Sequence, residues 1–157
     1  MKRLVAMALL GGALVVSPAL AADPSASDEL RLLSHTDTGD TWVRTQPSER
    51  SGQVVRYWYF ISTHKSQQVG SDVLVGAWLH AVLDCSRPSI TSDDFIAVRS
   101  DLTEAFRSRE TDTTTDIEDG TPFGDMVAQL CRSEKARETL TMNDLRAAIA
   151  FSQSDHD

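Results

Sequence analysis

The chain has 157 residues, 41% hydrophobic and 24% charged, with 15 Lys and Arg against 23 Asp and Glu. That length suits one compact domain with a core of its own. The acidic balance argues against a nucleic-acid footprint and against electrostatic docking on anionic lipid.

Residues 1–21 read as a signal peptide. Lys2 and Arg3 form a positive start, an apolar stretch runs over residues 4–16, and Ala19-Leu20-Ala21 supplies small residues for cleavage after Ala21. The apolar stretch is too short to span roughly 30 Å of hydrocarbon, and Pro18 interrupts its flank. No cysteine follows it to carry a lipid. The expected product is exported and has no stable membrane anchor after cleavage.

Residues 22–40 are expected to form a flexible N-terminal segment. Its first part is small and polar, and residues 29–34 fit either a helical turn or a short strand. The Asp37-Thr38-Gly39-Asp40 cluster marks a turn. A single α+β domain is expected over 41–152, opening on a short strand near Trp42.

Residues 53–62, QVVRYWYFIS, form the clearest strand, dense in β-branched and aromatic side chains. Val54, Arg56, Trp58 and Phe60 share one face, and Val55, Tyr57, Tyr59 and Ile61 the other. Residues 63–72 are polar and end in a Gly-Ser-Asp turn. Residues 73–85, VLVGAWLHAVLDC, return as a second long strand. Val73, Val75, Ala77, Leu79, Ala81 and Leu83 lie on one side, with Leu74, Trp78, His80 and Val82 on the other. Two apolar faces predict a central strand covered on both sides.

After the turn at Ser86-Arg87-Pro88, DFIAVR (94–99) alternates as a third strand. Residues 102–108 suggest a fourth, and 112–118 a weak polar edge. Consecutive strands with short connections predict an antiparallel meander. The period then changes. Thr121-Pro122 is a helix start, followed by the apolar stripe Phe123, Met126, Val127, Leu130 and Cys131. Residues 141–144, TMND, resemble a capping box with Asp in place of Glu, opening a second helix with Leu145, Ala148, Ile149 and Ser152 on one face. Residues 153–157 read as a polar tail.

Cys85 and Cys131 are the two cysteines. An exported chain meets an oxidising compartment, so a disulfide between them is expected, tying the C-terminal helix to the end of the central strand. The competing assignment is a Cys85 thiolate paired with His80. Five residues apart on one strand, those side chains point to opposite faces.

No motif carries defined chemistry. Two cysteines and scattered histidines lack paired zinc-ligand spacing, so no metal or cofactor is expected. The acidic stretch TDTTTDIEDG (111–120) lacks a calcium-loop register and reads as a solvated edge. His80 reads as a satisfied, partly buried side chain. Ser86 has no G-x-S-x-G around it, and no phosphate-binding glycine loop is present. The aromatic residues Trp42, Trp58, Trp78, Tyr57 and Tyr59 suit core and sheet packing. The alternative is an exposed binding surface, for which Trp58, Tyr57, Tyr59 and Trp78 are the candidates.

Over residues 41–131 the order of features resembles the bacterial surface-adhesin protein E family. The matching pieces are Trp42, RYWYFIS, VLVGAWLHAVLDC with its terminal Asp-Cys, DFIAVR, and TPFGDMVAQLC with the second cysteine. The resemblance implies an antiparallel sheet with a disulfide-tethered C-terminal helix, and a place in the Gram-negative envelope, periplasmic or at the cell surface. It also implies an adhesin-like role. The chain departs from the pattern in the helix after Cys131 and in lacking a lipidated cysteine. The expectation is therefore an exported protein-binding module without catalysis. A structural or homo-oligomeric periplasmic component is the alternative.

Overall fold

The computed structural model describes residues 23–45, 49–110, 114–132 and 140–154; the expected signal peptide lies outside them. Nine strands form one antiparallel sheet. They are β1 (Leu30–His35), β2 (Gly39–Arg44), β3 (Glu49–Ser51), β4 (Val54–Val69), β5 (Asp72–Asp84), β6 (Ser89–Arg99), β7 (Glu104–Ser108), β8 (Thr115–Asp116) and β9 (Thr141–Met142). The lateral order is β7-β6-β5-β4-β2-β1-β9, with β3 beside the start of β4 and β8 beside the start of β6. Two helices, α1 (Pro122–Cys131) and α2 (Leu145–Ser154), complete the α+β fold.

Each face of the sheet has its own helix. One core joins Leu30, Trp42, Trp58, Phe60, Trp78, Ile96 and Val98 to Leu145, Ala148 and Ile149 of α2. The other joins Val43, Val55, Tyr57, Tyr59, Ala81 and Leu83 to Met126 and Val127 of α1. The alternation along β4 thus sorts its aromatics between two cores, as strand periodicity predicts. β5, expected as the central strand, is an interior strand between β6 and β4 with residues in both cores, while β4 stands in the middle of the lateral order.

Register shifts interrupt the pairing of β5 with β6 at His80–Ala81 and of β4 with β5 between Ser62 and Gln67, and the one that redirects a core side chain lies between Leu74 and Gly76 of β5. That bulge turns Val75 into the α2-side core with Trp78, away from Ala77 and Leu79. A Cβ on Gly76 would lie 2.3 Å from the Ile61 carbonyl oxygen and 2.5 Å from the Phe60 ring. Only glycine fits there.

Cys85 and Cys131 form the expected disulfide, with Cα atoms 5.4 Å apart. It ties the last residue of α1 to the loop after β5. Thr121 caps α1 as expected, its hydroxyl accepting from the Gly124 amide at 3.0 Å. The start of α2 differs from expectation. Asp144 is its cap, accepting from the Ala147 amide at 2.8 Å. Thr141 and Met142 instead pair with Arg31 and Leu30, so that β9 shields the outer edge of β1.

Several boundaries are also corrected. Within 22–40, read as flexible, lie all of β1 and the start of β2. The stretch before β1 is pinned by Asp28 on Arg44 (2.9 Å), by Asp23 on Arg107 (2.9 Å) and by the Ala26 carbonyl, which accepts from the Leu145 amide at 2.9 Å. Residues 63–69, read as loop, continue β4. Of the expected tail, Gln153 and Ser154 belong to α2, and residues 155–157 lie outside the described residues. Among the described residues no helix is long and apolar enough to cross a membrane.

Candidate binding face

The four aromatics proposed as a binding surface are buried. Trp58 and Trp78 are 2% and 3% exposed beneath α2, and Tyr57 and Tyr59 are 2% and 5% exposed beneath α1. Strand alternation assigns them to faces correctly, but each face carries a helix over those positions. Tyr59 borders open space beside α1, edge-on to Phe123 with ring centroids 5.6 Å apart, and Trp58 lines a cleft on the opposite face.

One exposed apolar patch lies beyond the reach of α1, on the same side of the sheet, apart from the exposed Val69, Val73 and Leu140. Directly opposed residues share a face. Ile61 of β4, Ala77 of β5, Ala97 of β6 and Phe106 of β7 form one row across four strands. Tyr59, Leu79 and Phe95 form the next row towards α1. Phe106 is 50% exposed and Ile61 39%. The Phe95 and Phe106 rings pack 5.6 Å apart and cover Ala97, which is itself buried. Beside these rows a cleft of about 660 Å³ opens between the sheet and the N-terminus of α1, lined by Tyr59, Ile90, Ile117 and Phe123. Asp116 and Glu118 add carboxylates to its lining. Sheet row and cleft meet at Tyr59.

The opposite face holds a polar cleft of about 280 Å³. His80 Nδ1 lies 2.5 Å from Asp93, and the ring sits against Trp58 with centroids 4.9 Å apart. Contrary to the expectation of a satisfied histidine, the buried His80 Nε2 makes no hydrogen bond, nor does Trp58 Nε1. Arg107 lies over the Trp58 ring, 5.9 Å from its centroid. It donates from Nε to Asp94 at 2.8 Å and from Nη1 to Asp23 at 2.9 Å. These two carboxylates raise the Arg107 pKa further above its ordinary value, and the Arg107 hydrogen bond lowers that of Asp23. Among the described residues that line this cleft, none carries a hydroxyl or thiol. Cys85 points to the other face and is in the disulfide, so the chain has no free thiol.

A third cluster is only partly legible in sequence spacing. His35 at the end of β1, Asp40 near the start of β2 and His64 in β4 converge. His35 Nδ1 lies 2.7 Å from Asp40 Oδ1, and His64 Nε2 lies 3.5 Å from the same oxygen. A donor atom from each residue falls within 4.8 Å of the others. The sequence carries half of this signal. A turn over Thr36–Gly39 puts residue 35 opposite residue 40, but the assignment of 63–72 to a loop removed His64 from view.

No protein-family model, curated protein or solved structure matches the chain.

Proposed function

We propose that this protein is exported and acts in the envelope or at the surface of a Gram-negative cell, binding a protein partner without catalysis. The observation that carries the proposal is the apolar row Ile61, Ala77, Ala97 and Phe106, left open beside the Tyr59–Phe123 cleft. Contiguous apolar surface with charges at its rim is the composition of recognition sites. Phe106 and Ile61 have the size and exposure to serve as anchors, and the cleft can accept a partner side chain. The leader-like N-terminus and the disulfide support an oxidising compartment.

The test is a protein carrying Phe106→Asp and Ile61→Lys. Both side chains are partly exposed, so the thermal midpoint should stay within a few degrees of the parent's. Capture of partners from envelope and host-matrix extracts should fall at least tenfold. Equal capture by parent and variant would remove this face from the proposal.

A second reading, self-association through the same row, is favoured by the position of Phe106 on β7, at the margin of the sheet. Two copies can meet there about a twofold axis, each supplying the same residues. Sedimentation distinguishes the readings. A dimer that the double variant abolishes supports self-association, and a monomer at all concentrations eliminates it.

A further inference from the structure

We infer that His35, Asp40 and His64 form a binding site for one first-row divalent cation of the zinc class. Their chemistry is that of a three-ligand site with an open fourth position, two imidazole nitrogens and one carboxylate oxygen. The fold builds this site from three neighbouring strands. His35 pairs with Asp40 across the β1–β2 hairpin, Asp40 pairs with Ser62 across β2–β4, and His64 follows Ser62 by two residues on the same face. Gly39 permits the close approach. A Cβ there would lie 2.1 Å from the Ser62 carbonyl oxygen, so a larger residue would push β2 away from β4.

Asp40 supplies the second, independent observation. Its side chain is fully buried, and its Oδ2 receives no hydrogen bond. A buried carboxylate is costly unless its charge and lone pairs are met. Oδ1 faces two imidazoles, while Oδ2 leaves an acceptor position for which no donor is provided. A cation held by the carboxylate and both imidazoles answers that deficit.

The distances suit such an ion. Ligand bonds of about 2.0–2.1 Å in a tetrahedron put neighbouring donor atoms about 3.3 Å apart. The 3.5 Å His64–Asp40 separation is near that edge, and the 2.7 Å His35–Asp40 separation reaches it by a small rotation of a half-exposed ring. Entry is open. His35 is 49% exposed, and His64 lines a cleft of about 500 Å³ with Thr38, Thr63, Lys65 and Ser66. Behind the site the backbone is locked. The Ser62 hydroxyl reaches the Asp40 carbonyl at 3.3 Å and the Ser152 hydroxyl at 2.6 Å, and Trp42 Nε1 donates to both hydroxyls. Preorganised strands with a wet mouth favour capture over a site assembled on loops.

The test uses the purified, disulfide-intact protein, stripped with a chelator and titrated with Zn²⁺ against a chromophoric competitor. One equivalent should bind, and Zn²⁺ in excess should raise the thermal midpoint. His35→Ala, at the exposed position, should fold normally and weaken binding at least tenfold, since even outer-shell partners of a metal are worth that much. Co²⁺ provides a second readout, with visible absorption bands that change in His35→Ala and in His64→Gln. Failure of the stripped protein to bind one equivalent overturns the site. So does unchanged affinity in both variants, which would place the ion on the acidic surface. A midpoint lowered equally by His35→Ala with and without Zn²⁺ overturns it too, leaving a hydrogen-bonded triad only.

Discussion

Tyr57 shows how a single atom can set a measurable slope. Its ring is needed in the α1-side core, but its hydroxyl is buried without a hydrogen-bond partner. Burial, then the neighbouring Tyr59, push its pKa well above the ordinary phenolic value. The folded state therefore holds the proton more tightly than the unfolded chain, whose tyrosine ionises near pH 10. The resulting stability is complete below about pH 10 and drains away as pH rises towards the folded value. Tyr57→Phe should be neutral or stabilising by up to about 1 kcal/mol at pH 7, because it removes an unmet polar group. It should also flatten the alkaline loss of stability. Urea melts at pH 7 and pH 11 measure both effects, and a parallel fall of parent and variant at high pH would refute this role for Tyr57.

At the level of elements, the disulfide and α1 belong together. The 46-residue separation of Cys85 and Cys131 implies a stabilisation of about 4 kcal/mol in the chain-entropy model. Cys85→Ser with Cys131→Ser should cost close to that amount at equilibrium. Loss should begin where α1 covers Val55, Tyr57 and Leu83, so tyrosine exposure should precede unfolding of the sheet centre. A loss under about 1 kcal/mol would mean that α1 is held by packing alone. This pairing was legible in the sequence because compartment, strand end and helix stripe all pointed to it. The cap at Thr121 and the faces of β4 were legible for similar reasons, since each is a local pattern. Elements supported by distant partners were not. β9 is two residues whose strand character comes from β1, and polar residues 63–69 of β4 are held in part by Asp72–Leu74 of β5. Alternation also identified which face Trp58 or Tyr59 occupies without revealing that a helix would cover it. The open row at Phe106 became visible only once the reach of α1 was known.

Across the whole molecule, the stretch before β1 ties together elements that lie far apart in the sequence. Asp23 bridges to Arg107 on β7, Asp28 to Arg44 on β2, and Ala26 meets the first turn of α2. Arg107 holds the Asp23 carboxyl below its ordinary value. Its contribution is full above about pH 4, where an unfolded-chain aspartate is ionised, and is lost as pH falls through the lowered folded value. Asp23 is mostly exposed, so the effect is local and does not decide global stability. Amide exchange in residues 23–29, corrected for its intrinsic pH dependence, should rise as pH falls through the lowered Asp23 value while that of β5 stays slow. Arg107→Ala should produce the same opening at neutral pH. Uniform exchange along the chain under either condition would show that this stretch is not separately held.

The sorting of aromatics between the two cores has a practical consequence. All three tryptophans lie on the α2 side, and both tyrosines lie on the α1 side. Tryptophan emission therefore reports one layer of the molecule, and the near-ultraviolet tyrosine bands report the other. The sheet is an optical partition. A ligand settling near Phe106 and the Tyr59–Phe123 cleft should perturb the tyrosine signal and leave tryptophan emission nearly unchanged. An ion at His64, two residues beyond the Ser62 hydroxyl that accepts from Trp42, should do the reverse. Two colours of one spectrum thus tell which side of the protein has been occupied, without a label.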